Sequence, residues 1–525
     1  MSLNWLYGWH RQRSKHGKTR GLEIAGKKFA SGTLWLEALE DRTTPSVTVG
    51  ASVDGMNTTN NSCNCQPPDT IAAAGPNHIV ELVNTAIEVF NKSGAVTSAP
   101  ESLATFFHPT NPNQSDPFVF YDEIAGQFVA GILDFGSTSA ANLIDFATGT
   151  DGASGISWTV RTPIASGEGS LFLDYPRVGY NADAYFIEGN MFSSSFAHVQ
   201  VITVNKSGGV ISRHDDSSLF TLTPAAMHAS ATGGPEYFVE SANGGGSTLQ
   251  VVTETNVLSS SPTFTTTAVT VPSYASGGSA PQGVPGFDDR IFNAADRTVG
   301  GVNHLVAAHQ VATSRRNGAP VARWYDINTA TMSLIQDGNA PAGVRSASTF
   351  MPTVDINTAG SIGMTFDESA KSEFWSMYVT ERTASDPSGT METAVRAVAG
   401  IARTTDSRVG DFSGTTVDPS DGLTFWSANE YQGADFWDTH IASFHIAGAV
   451  HDPKVVATLA DSGAQAAKTP GQAATLSVVG KSVSRNAARL HLGTQTGNAA
   501  HLSTAKALDA FWANAANRDF LALAL

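Results

Sequence analysis

Apolar and polar positions alternate in short runs, separated by turn residues, over residues 46 to 450. One unit recurs there: a short apolar strand, a tight turn rich in Gly, Asn or Asp, and a second strand rich in aromatic and β-branched residues. Successive turns are roughly 50 to 65 residues apart, a period typical of four-stranded propeller blades with loops. The copies cover residues 69–84, 116–130, 174–188, 227–243, 287–310, 351–367 and 411–431, with turns near Asn77, Gly126, Ala182, Gly234, Gly301, Gly360 and Gly422.

A second repeat supports the first. Residues 87–94 and 201–208 both end in the turn Asn-Lys-Ser-Gly, and residues 322–328 are a looser third copy. We interpret these segments as the outer hairpins of their blades. The two repeats together predict an all-β fold, a β-propeller of about seven four-stranded blades; six or eight blades also fit the period.

The repeat stops at about residue 450, and the chain that follows is rich in Ala, Gly and Ser. The end of the chain places Leu508, Phe511 and Trp512 on one face of a short helix. The predicted organisation is a leader or targeting segment (1–45), a propeller (46–450), a linker or tail (451–502) and an amphipathic C-terminal helix (503–525).

Composition agrees with this fold and narrows the partners. Only 15% of the residues are charged and 41% are hydrophobic, which suits many short strands around a large core. The net charge of −16 argues against a nucleic-acid partner, because phosphate binding needs a basic surface. No stretch approaches 18 apolar residues, so we expect no transmembrane helix, and we expect a monomer.

The region before the repeat contains a segment similar to a targeting signal. Residues 36–46 read Leu-Glu-Ala-Leu-Glu-Asp-Arg-Thr-Thr-Pro-Ser, which resembles the LExLEDRxxPS segment that ends the leader of many exported planctomycete proteins. The resemblance implies an extracellular or cell-surface location; a lead-in helix without address function is the alternative. The two cysteines of the chain, Cys63 and Cys65, form a local disulfide, which export favours, or stay free thiols.

Several stretches of the repeat resemble a family of exported bacterial propellers known as sialidase-like or BNR-repeat proteins. They are residues 67–81, 174–180, 410–419 and 424–431, and the resemblance covers roughly residues 60 to 447. The resemblance implies the propeller fold, but the sequence motifs that accompany sialidase activity are missing or incomplete. The Arg-Ile-Pro motif is absent, since Tyr175-Pro176-Arg177-Val178 has the inverted order, and Ala153 stands where an Asp-box has its aspartate.

Four aspartates open predicted blades, where the innermost strand lines the channel or its mouth. Carboxylates that converge there are suited to Ca²⁺, which prefers oxygen ligands. The alternative is that each one caps a turn by accepting backbone N–H groups two residues on. The candidate metal ligands are Asp69, Asp116, Asp174 and Asp411.

Other charged and aromatic residues are candidates for ligand binding or catalysis. Arg177, Arg345 and Arg408 lie near blade starts and are predicted to grip an anionic sugar together, or to pair with aspartates between blades. Asp174, Arg177, Glu430 and Tyr431 are the catalytic candidates, although adjacent strand residues such as Glu430 and Tyr431 point to opposite faces. The tryptophans of the later blades either stack on sugars or pack between blades. They are Trp324, Trp375, Trp426 and Trp437.

These observations leave three functional hypotheses open. The leading one is an extracellular propeller that binds glycans or surface proteins, without sialidase activity. The second is an active glycoside hydrolase or polysaccharide lyase that uses carboxylates at the propeller mouth. The third is a structural component of a surface layer.

Overall fold

The computed structural model describes residues 46–61, 65–136, 142–286, 288–312, 318–406 and 408–447. The predicted leader (1–45), the linker or tail (451–502) and the C-terminal helix (503–525) lie outside the described residues, and so does Cys63. The leader, the domain limits and the disulfide between Cys63 and Cys65 therefore stay predictions. None of the helices in the described ranges is long and apolar enough to cross a membrane.

The described strands form antiparallel units of four, which we call blades I to VII. The first described strand, β1 (Ser46–Asn57), belongs to the last blade. Blade I comprises β2 (Ile71–Ala74), β3 (His78–Val83), β4 (Ala86–Asn91) and β5 (Val96–Ser102), followed by helix α1 (Leu103–Phe107). Blade II comprises β6 (Asn113–Asp122), β7 (Gln127–Phe135), β8 (Leu143–Gly152) and β9 (Gly155–Val160), with a short β10 (Ile164–Ala165) beside β8.

The next blades repeat this order. Blade III comprises β11 (Phe172–Tyr180), β12 (Ala184–Phe192), β13 (Phe196–Asn205) and β14 (Val210–Asp216). Blade IV comprises β15 (Thr223–Met227), β16 (Glu236–Ser241), β17 (Gly245–Thr255) and β18 (Thr263–Ala275), followed by a 3₁₀ turn (Pro281–Gly283). Blade V comprises β19 (Ile291–Val299), β20 (Val302–Val311), β21 (Val321–Asn328) and β22 (Ser333–Asn339).

The last blade joins the two ends of the described chain. Blade VI comprises β23 (Ser348–Ile356), β24 (Ile362–Ala370), β25 (Glu373–Arg382) and β26 (Val395–Val398). Blade VII comprises β27 (Gly414–Val417), β28 (Phe425–Gln432) and β29 (Trp437–Ala447), and β1 completes it by pairing antiparallel with β29. This pairing closes the ring, since no blade edge is left at which the repeat begins or ends.

The first strand of each blade is the innermost. In chain order, each inner strand lies beside the inner strands of the two neighbouring blades, and β27 returns to β2. In blades III, IV and V the approach is so close that Tyr180 bridges Ala226, and Ala225 bridges Ala294, in parallel register. The described part of the chain is thus an all-β propeller around a central channel.

Apolar packing between blades holds the ring together. Buried clusters lie at each junction of neighbouring blades: Phe128 from blade II packs with Val80 from blade I, and Phe425 from blade VII packs with Met377 from blade VI. One blade alone buries too little apolar surface to be stable, so stacking supplies the core. Of the two roles open to the tryptophans, packing is the one that the structure shows: Trp324, Trp375 and Trp437 are fully buried, and Trp426 is 5% exposed.

The predicted inner hairpins are the first and second strands of their blades. One boundary differs, because the fourth copy was predicted to start at Met227, whereas β15 ends there. That strand has only five residues and contains Pro224, so the sequence shows no clear apolar run. The two Asn-Lys-Ser-Gly turns join third and fourth strands as predicted, and Asn91 and Asn205 cap them through the same hydrogen bonds from Ser93 and Ser207.

Candidate ligand site at the mouth of the central channel

The channel has two distinct ends. We call the end at which the inner strands begin the mouth, and the end at which they turn back the base. The cavity between them encloses about 110 Å³. Arg177, Phe292 and Phe412 line it towards the mouth, and Glu123 and His228 line it towards the base.

At the mouth, most inner strands open with a residue in the left-handed region of φ. Such residues are uncommon outside glycine and concentrate at functional sites. The strand ladder is interrupted at the same place, for example between Asp174 and Arg177, so these residues are free of the sheet pairing. The left-handed residues are Asp69 (54°), Asp116 (55°), Tyr175 (57°), Thr221 (54°), Met351 (51°) and Asp411 (65°).

Asn84 links the first two aspartates of the mouth. Its side-chain Nδ2 donates to Oδ2 of Asp69 at 2.6 Å, and its Oδ1 accepts from the backbone N–H of Asp116 at 2.9 Å. Asp116 in turn accepts from the backbone N–H of Tyr175 at 3.1 Å through Oδ2. Asp69 is only 4% exposed, and its other oxygen, Oδ1, has no hydrogen-bond partner among the described residues. A buried carboxylate oxygen without a partner is costly, which marks this side of the mouth as incomplete.

On the other side of the mouth, arginines balance the negative charge of the aspartates. Arg290 contacts Asp411 at 3.4 Å and Asp288 at 2.7 Å, while the exposed Arg408 pairs with the second oxygen of Asp411. Arg177 is buried and donates to the backbone carbonyl of Asp411 at 2.9 Å. Among the described residues, the ion pairs of the mouth reach Asp411 and Asp288, and none reaches Asp69, Asp116 or Asp174.

Aromatic rings hold these arginines in place. The guanidinium carbon of Arg177 lies 4.1 Å from the ring centre of Tyr175 and 4.2 Å from that of Phe412. Arg290 lies 3.9 Å from the ring centre of Tyr175, so that ring contacts both cations. Tyr175 and Phe412 are therefore occupied by protein contacts, and their faces are closed to a ligand.

Burial and the uneven distribution of arginines shift the pKa values of the aspartates at the mouth. Burial raises the pKa of Asp116 to about 7, and the neighbouring Asp174 adds to the shift. Burial, followed by Asp116 and Asp411, raises the pKa of Asp69 well above its usual range. Burial also raises the pKa of Asp174, against the effect of Arg290. The mouth thus places carboxyl groups that keep their protons to higher pH beside Asp411, which is ion-paired with arginines.

The sequence-predicted site residues are only partly brought together. The four candidate aspartates Asp69, Asp116, Asp174 and Asp411 interact electrostatically at the mouth, with Arg177 and Arg408 beside them. Whether these carboxylates hold Ca²⁺ stays a prediction. The sequence analysis did not single out Arg290 or Tyr175. The segment Asp288-Asp289-Arg290 directly precedes the inner strand β19, much as the segment from Asp174 to Arg177 lies near the start of the inner strand β11.

Three candidates lie apart from this group. Arg345 is exposed in the loop before β23 and has no ion pair among the described residues, whereas Arg408 pairs with Asp411; a common grip of Arg177, Arg345 and Arg408 on a ligand stays a prediction. Glu430 is fully buried and accepts from the backbone N–H of Gly410 at 2.8 Å. Tyr431 points the other way, 3.5 Å from Asp54, so Glu430 and Tyr431 do not form a catalytic pair.

The base carries a cluster that the sequence did not reveal. His228 contacts Glu123 at 3.0 Å through Nδ1 and Asp355 at 2.7 Å through Nε2. Arg297 lies 3.2 Å from both oxygens of Glu123. Burial lowers the pKa of His228, but Asp355 and Glu123 outweigh it and raise the pKa to about 9. Burial raises the pKa of Glu123, yet His228 and Arg297 bring it down to about 2, so this cluster consists of charged pairs at neutral pH.

Comparisons with known proteins reach the fold only. No family model and no curated protein matches the sequence. Among solved structures, the chain is similar to a protein of unknown function from Dyadobacter fermentans, at a TM-score of 0.39 and 7% identity over 77% of this chain and 100% of that one. It is similar to an α-L-arabinofuranosidase from Fusarium graminearum, at a TM-score of 0.35 and 10% identity over 76% and 98% of the two chains.

A sialidase is also among the similar structures. It comes from Trypanosoma rangeli and was solved in complex with sialic acid; its TM-score is 0.32, with 10% identity over 70% of this chain and 57% of the sialidase. At these identities and TM-scores no activity is carried over to this chain. Membership of the bacterial sialidase-like family stays a prediction.

Proposed function

We propose that this protein is an extracellular or cell-surface propeller that binds a neutral glycan at the mouth of its central channel. The arrangement of charges at the mouth supports this most. Among the described residues, Asp69, Asp116 and Asp174 have no arginine partner, whereas the neighbouring Asp411 forms ion pairs with two arginines. Sugar hydroxyls donate to carboxylates and accept from guanidinium groups, so a polyol completes such a site.

The charge balance selects the class of glycan. A carboxylate-bearing sugar needs arginines that are free to clamp it, but Arg177 is buried, while Arg290 and Arg408 already contact aspartates. An anionic sugar would also raise further the cost of ionising Asp116 and Asp174, which have no ion-pair partner among the described residues. A neutral glycan avoids both costs, and sialic acid is disfavoured.

Two exposed aromatic rings stand on the same end of the ring as the mouth. Phe374 (37% exposed) is the second residue of β25, directly after the turn between the second and third strands of blade VI, and Phe436 (44% exposed) lies in the matching turn of blade VII. Because inner strands run away from the mouth and second strands return to it, these turns lie at the mouth end. Exposed rings offer apolar faces on which sugar rings stack.

The test uses the full-length chain with soluble arabinan, xylan and β-glucan as neutral probes and polysialic acid as the anionic one, each with Ca²⁺ or EDTA. We expect retention of a neutral glycan, an affinity loss on the order of tenfold in Asp174→Asn, and no change in Glu101→Gln, an exposed carboxylate on the outer strand β5. Exclusive binding of polysialic acid, or equal affinity in Asp174→Asn and the wild type, would refute the proposal. Loss of retention in EDTA that added Ca²⁺ restores and added Zn²⁺ does not would indicate a metal among the aspartates.

Glycoside hydrolysis is the second candidate, favoured by one observation. Asp411 is ion-paired with Arg290 and Arg408, while burial raises the pKa of the nearby Asp116 to about 7. A carboxyl group that keeps its proton to neutral pH beside an arginine-paired carboxyl group offers an acid next to a base or nucleophile. Release of reducing sugar in the same assay, abolished in Asp411→Asn, would favour hydrolysis; binding to whole cells without any glycan preference would favour a structural surface role.

A further inference from the structure

A second constellation of ligand-type side chains lies away from the channel, on blade III. His198 and Gln200 are two residues apart on β13, so their side chains share one face, and Gln200 lies directly opposite Asp215 of β14. Glu168, from the loop between β10 and β11, reaches over the same face. Glu168, His198 and Asp215 each bring one metal-ligand atom, and these atoms all lie within 4.8 Å of one another.

The polar atoms of the cluster lie close enough together for one ion to contact them all. His198 Nε2 lies 3.1 Å from Glu168 Oε1 and 3.7 Å from Asp215 Oδ1. The amide nitrogen Nε2 of Gln200 donates to Glu168 Oε1 at 2.9 Å and to Asp215 Oδ1 at 3.1 Å. Zinc bonds to N and O ligands are roughly 2.0 to 2.2 Å long, which puts neighbouring ligands of a tetrahedron roughly 3.3 to 3.6 Å apart.

The carboxamide of Gln200 is buried, and only its nitrogen is hydrogen-bonded to the cluster. Gln200 is only 1% exposed, and its oxygen Oε1 has no hydrogen-bond partner among the described residues. The amide nitrogen and oxygen are nearly equal in size, so a half-turn about the last side-chain bond exchanges them without moving other atoms. That half-turn aims the unpartnered oxygen at the space between His198, Glu168 and Asp215.

We propose that this cluster is a zinc site, with His198, Glu168 and Asp215 as ligands and the carboxamide oxygen of Gln200 as the fourth. Imidazole with carboxylates suits Zn²⁺ and related transition metals better than Ca²⁺ or Mg²⁺, which prefer all-oxygen sites. Side-chain exposures of 17% for His198, 27% for Glu168 and 49% for Asp215 leave the site open to an ion from solvent.

The position of the cluster assigns it a role in the protein. Arg213 donates to the carbonyl of Ala165 at 2.7 Å and already ties the loop of Glu168 to β14. The same loop leads into β11, which opens the mouth with Asp174. An ion bound by Glu168 and the outer strands would anchor that loop and fix the path of the chain into the mouth.

Blade V supplies a matched control. There His304 contacts Asp326 at 2.9 Å, and Gln336 donates to the same carboxylate at 3.0 Å, so the His, Asp and Gln of the proposed site recur. Among the described residues, no second carboxylate joins His304 and Asp326 to complete a group of three metal ligands. The group found there is the one formed by Glu168, His198 and Asp215. His304→Ala therefore removes a comparable histidine without touching the proposed ligands.

The experiment titrates ZnCl₂ into the full-length chain by calorimetry and follows Co²⁺ substitution by its visible absorption. We expect one strong site per chain with a tetrahedral Co²⁺ spectrum in the wild type and in His304→Ala. His198→Ala should lose both, and Glu168→Gln should bind zinc on the order of 10- to 100-fold more weakly. Thermal unfolding without metal checks that each variant is folded; Asp215→Asn, at an exposed position, replaces His198→Ala if that variant does not fold. Zinc binding that is absent in the wild type, or unchanged in both His198→Ala and Glu168→Gln, would overturn the proposal.

Discussion

The two ends of the central channel use the same kinds of side chains and differ in how their charges are balanced. At the base, His228 and Arg297 place two cations against Glu123 and Asp355, with contacts of 2.7 to 3.2 Å. Asp355 also accepts the backbone N–H of Val417 at 3.0 Å, which ties blade VI to blade VII. Each of these four charged groups has an ion-pair partner, whereas the neighbouring buried Asp296 has none among the described residues.

At the mouth the same balance is missing. Arginines gather on Asp411 and Asp288, while Asp69, Asp116 and Asp174 stand close to one another without one. Unpaired, partly desolvated carboxylates cost stability, and such costs persist where a site serves binding or catalysis. The comparison therefore assigns the base to the cohesion of the ring and the mouth to an external partner.

The largest effect should come from breaking the base. Asp355→Ala leaves His228 with one carboxylate fewer and removes the acceptor of the Val417 N–H, so we expect a loss of about 3 to 5 kcal/mol of unfolding free energy. Urea unfolding measures it. Asp174→Asn at the mouth is the contrasting variant and should change stability far less; similar losses in the two variants would show that the two ends are not distinct.

A smaller effect on stability is expected from pH. The pH range in which it occurs distinguishes the base of the channel from the mouth. The pKa of His228 is raised from 6.5 to about 9, against the effect of burial, by Asp355 and Glu123. A group whose folded pKa is raised stabilises fully below its unfolded pKa, and that stabilisation is lost as pH rises through the folded value. Stability should therefore fall between pH 6.5 and 9 by on the order of 3 kcal/mol. Urea unfolding at several pH values, repeated on His228→Gln, tests this: an undiminished fall in the variant would contradict the assignment.

Much of the ring could be predicted from the sequence, because its signals are local. Inner hairpins combine short apolar strands with Gly, Asn or Asp turns, and Asn91 and Asn205 repeat one capped turn. Outer strands are less readable: β18 runs Thr-Phe-Thr-Thr-Thr-Ala-Val-Thr-Val-Pro-Ser-Tyr-Ala, with mostly exposed positions and no clear boundary. The weak start of β15 has the same origin, since a five-residue strand carries little periodicity.

The sites were less predictable, since they form only when the ring closes. The aspartates of the mouth could be singled out because each opens a copy of the repeat. His228, Glu123 and Arg297 come from the base ends of three different blades, and none stands in a motif. Arg345 shows the reverse case: it lies near a blade start in the sequence, yet the loop before β23 leaves it exposed and without an ion pair among the described residues.

The last effect should appear at the mouth, where a substitution should stabilise the protein and not destabilise it. The pKa of Asp116 is raised from 3.8 to about 7, mainly by burial and then by Asp174, so the folded state loses stability as pH rises through that window. Asp116→Asn keeps an acceptor for the Tyr175 N–H and removes the charge, so it should stabilise the protein at pH 8 by at most roughly 4 kcal/mol, the full linkage value of the shift, and by much less at pH 4. Urea midpoints at the two pH values, with Glu101→Gln as the control, measure the difference. A stabilisation that is equal at both pH values would mean that Asp116 bears no uncompensated charge, and the contrast between mouth and base would lose its electrostatic basis.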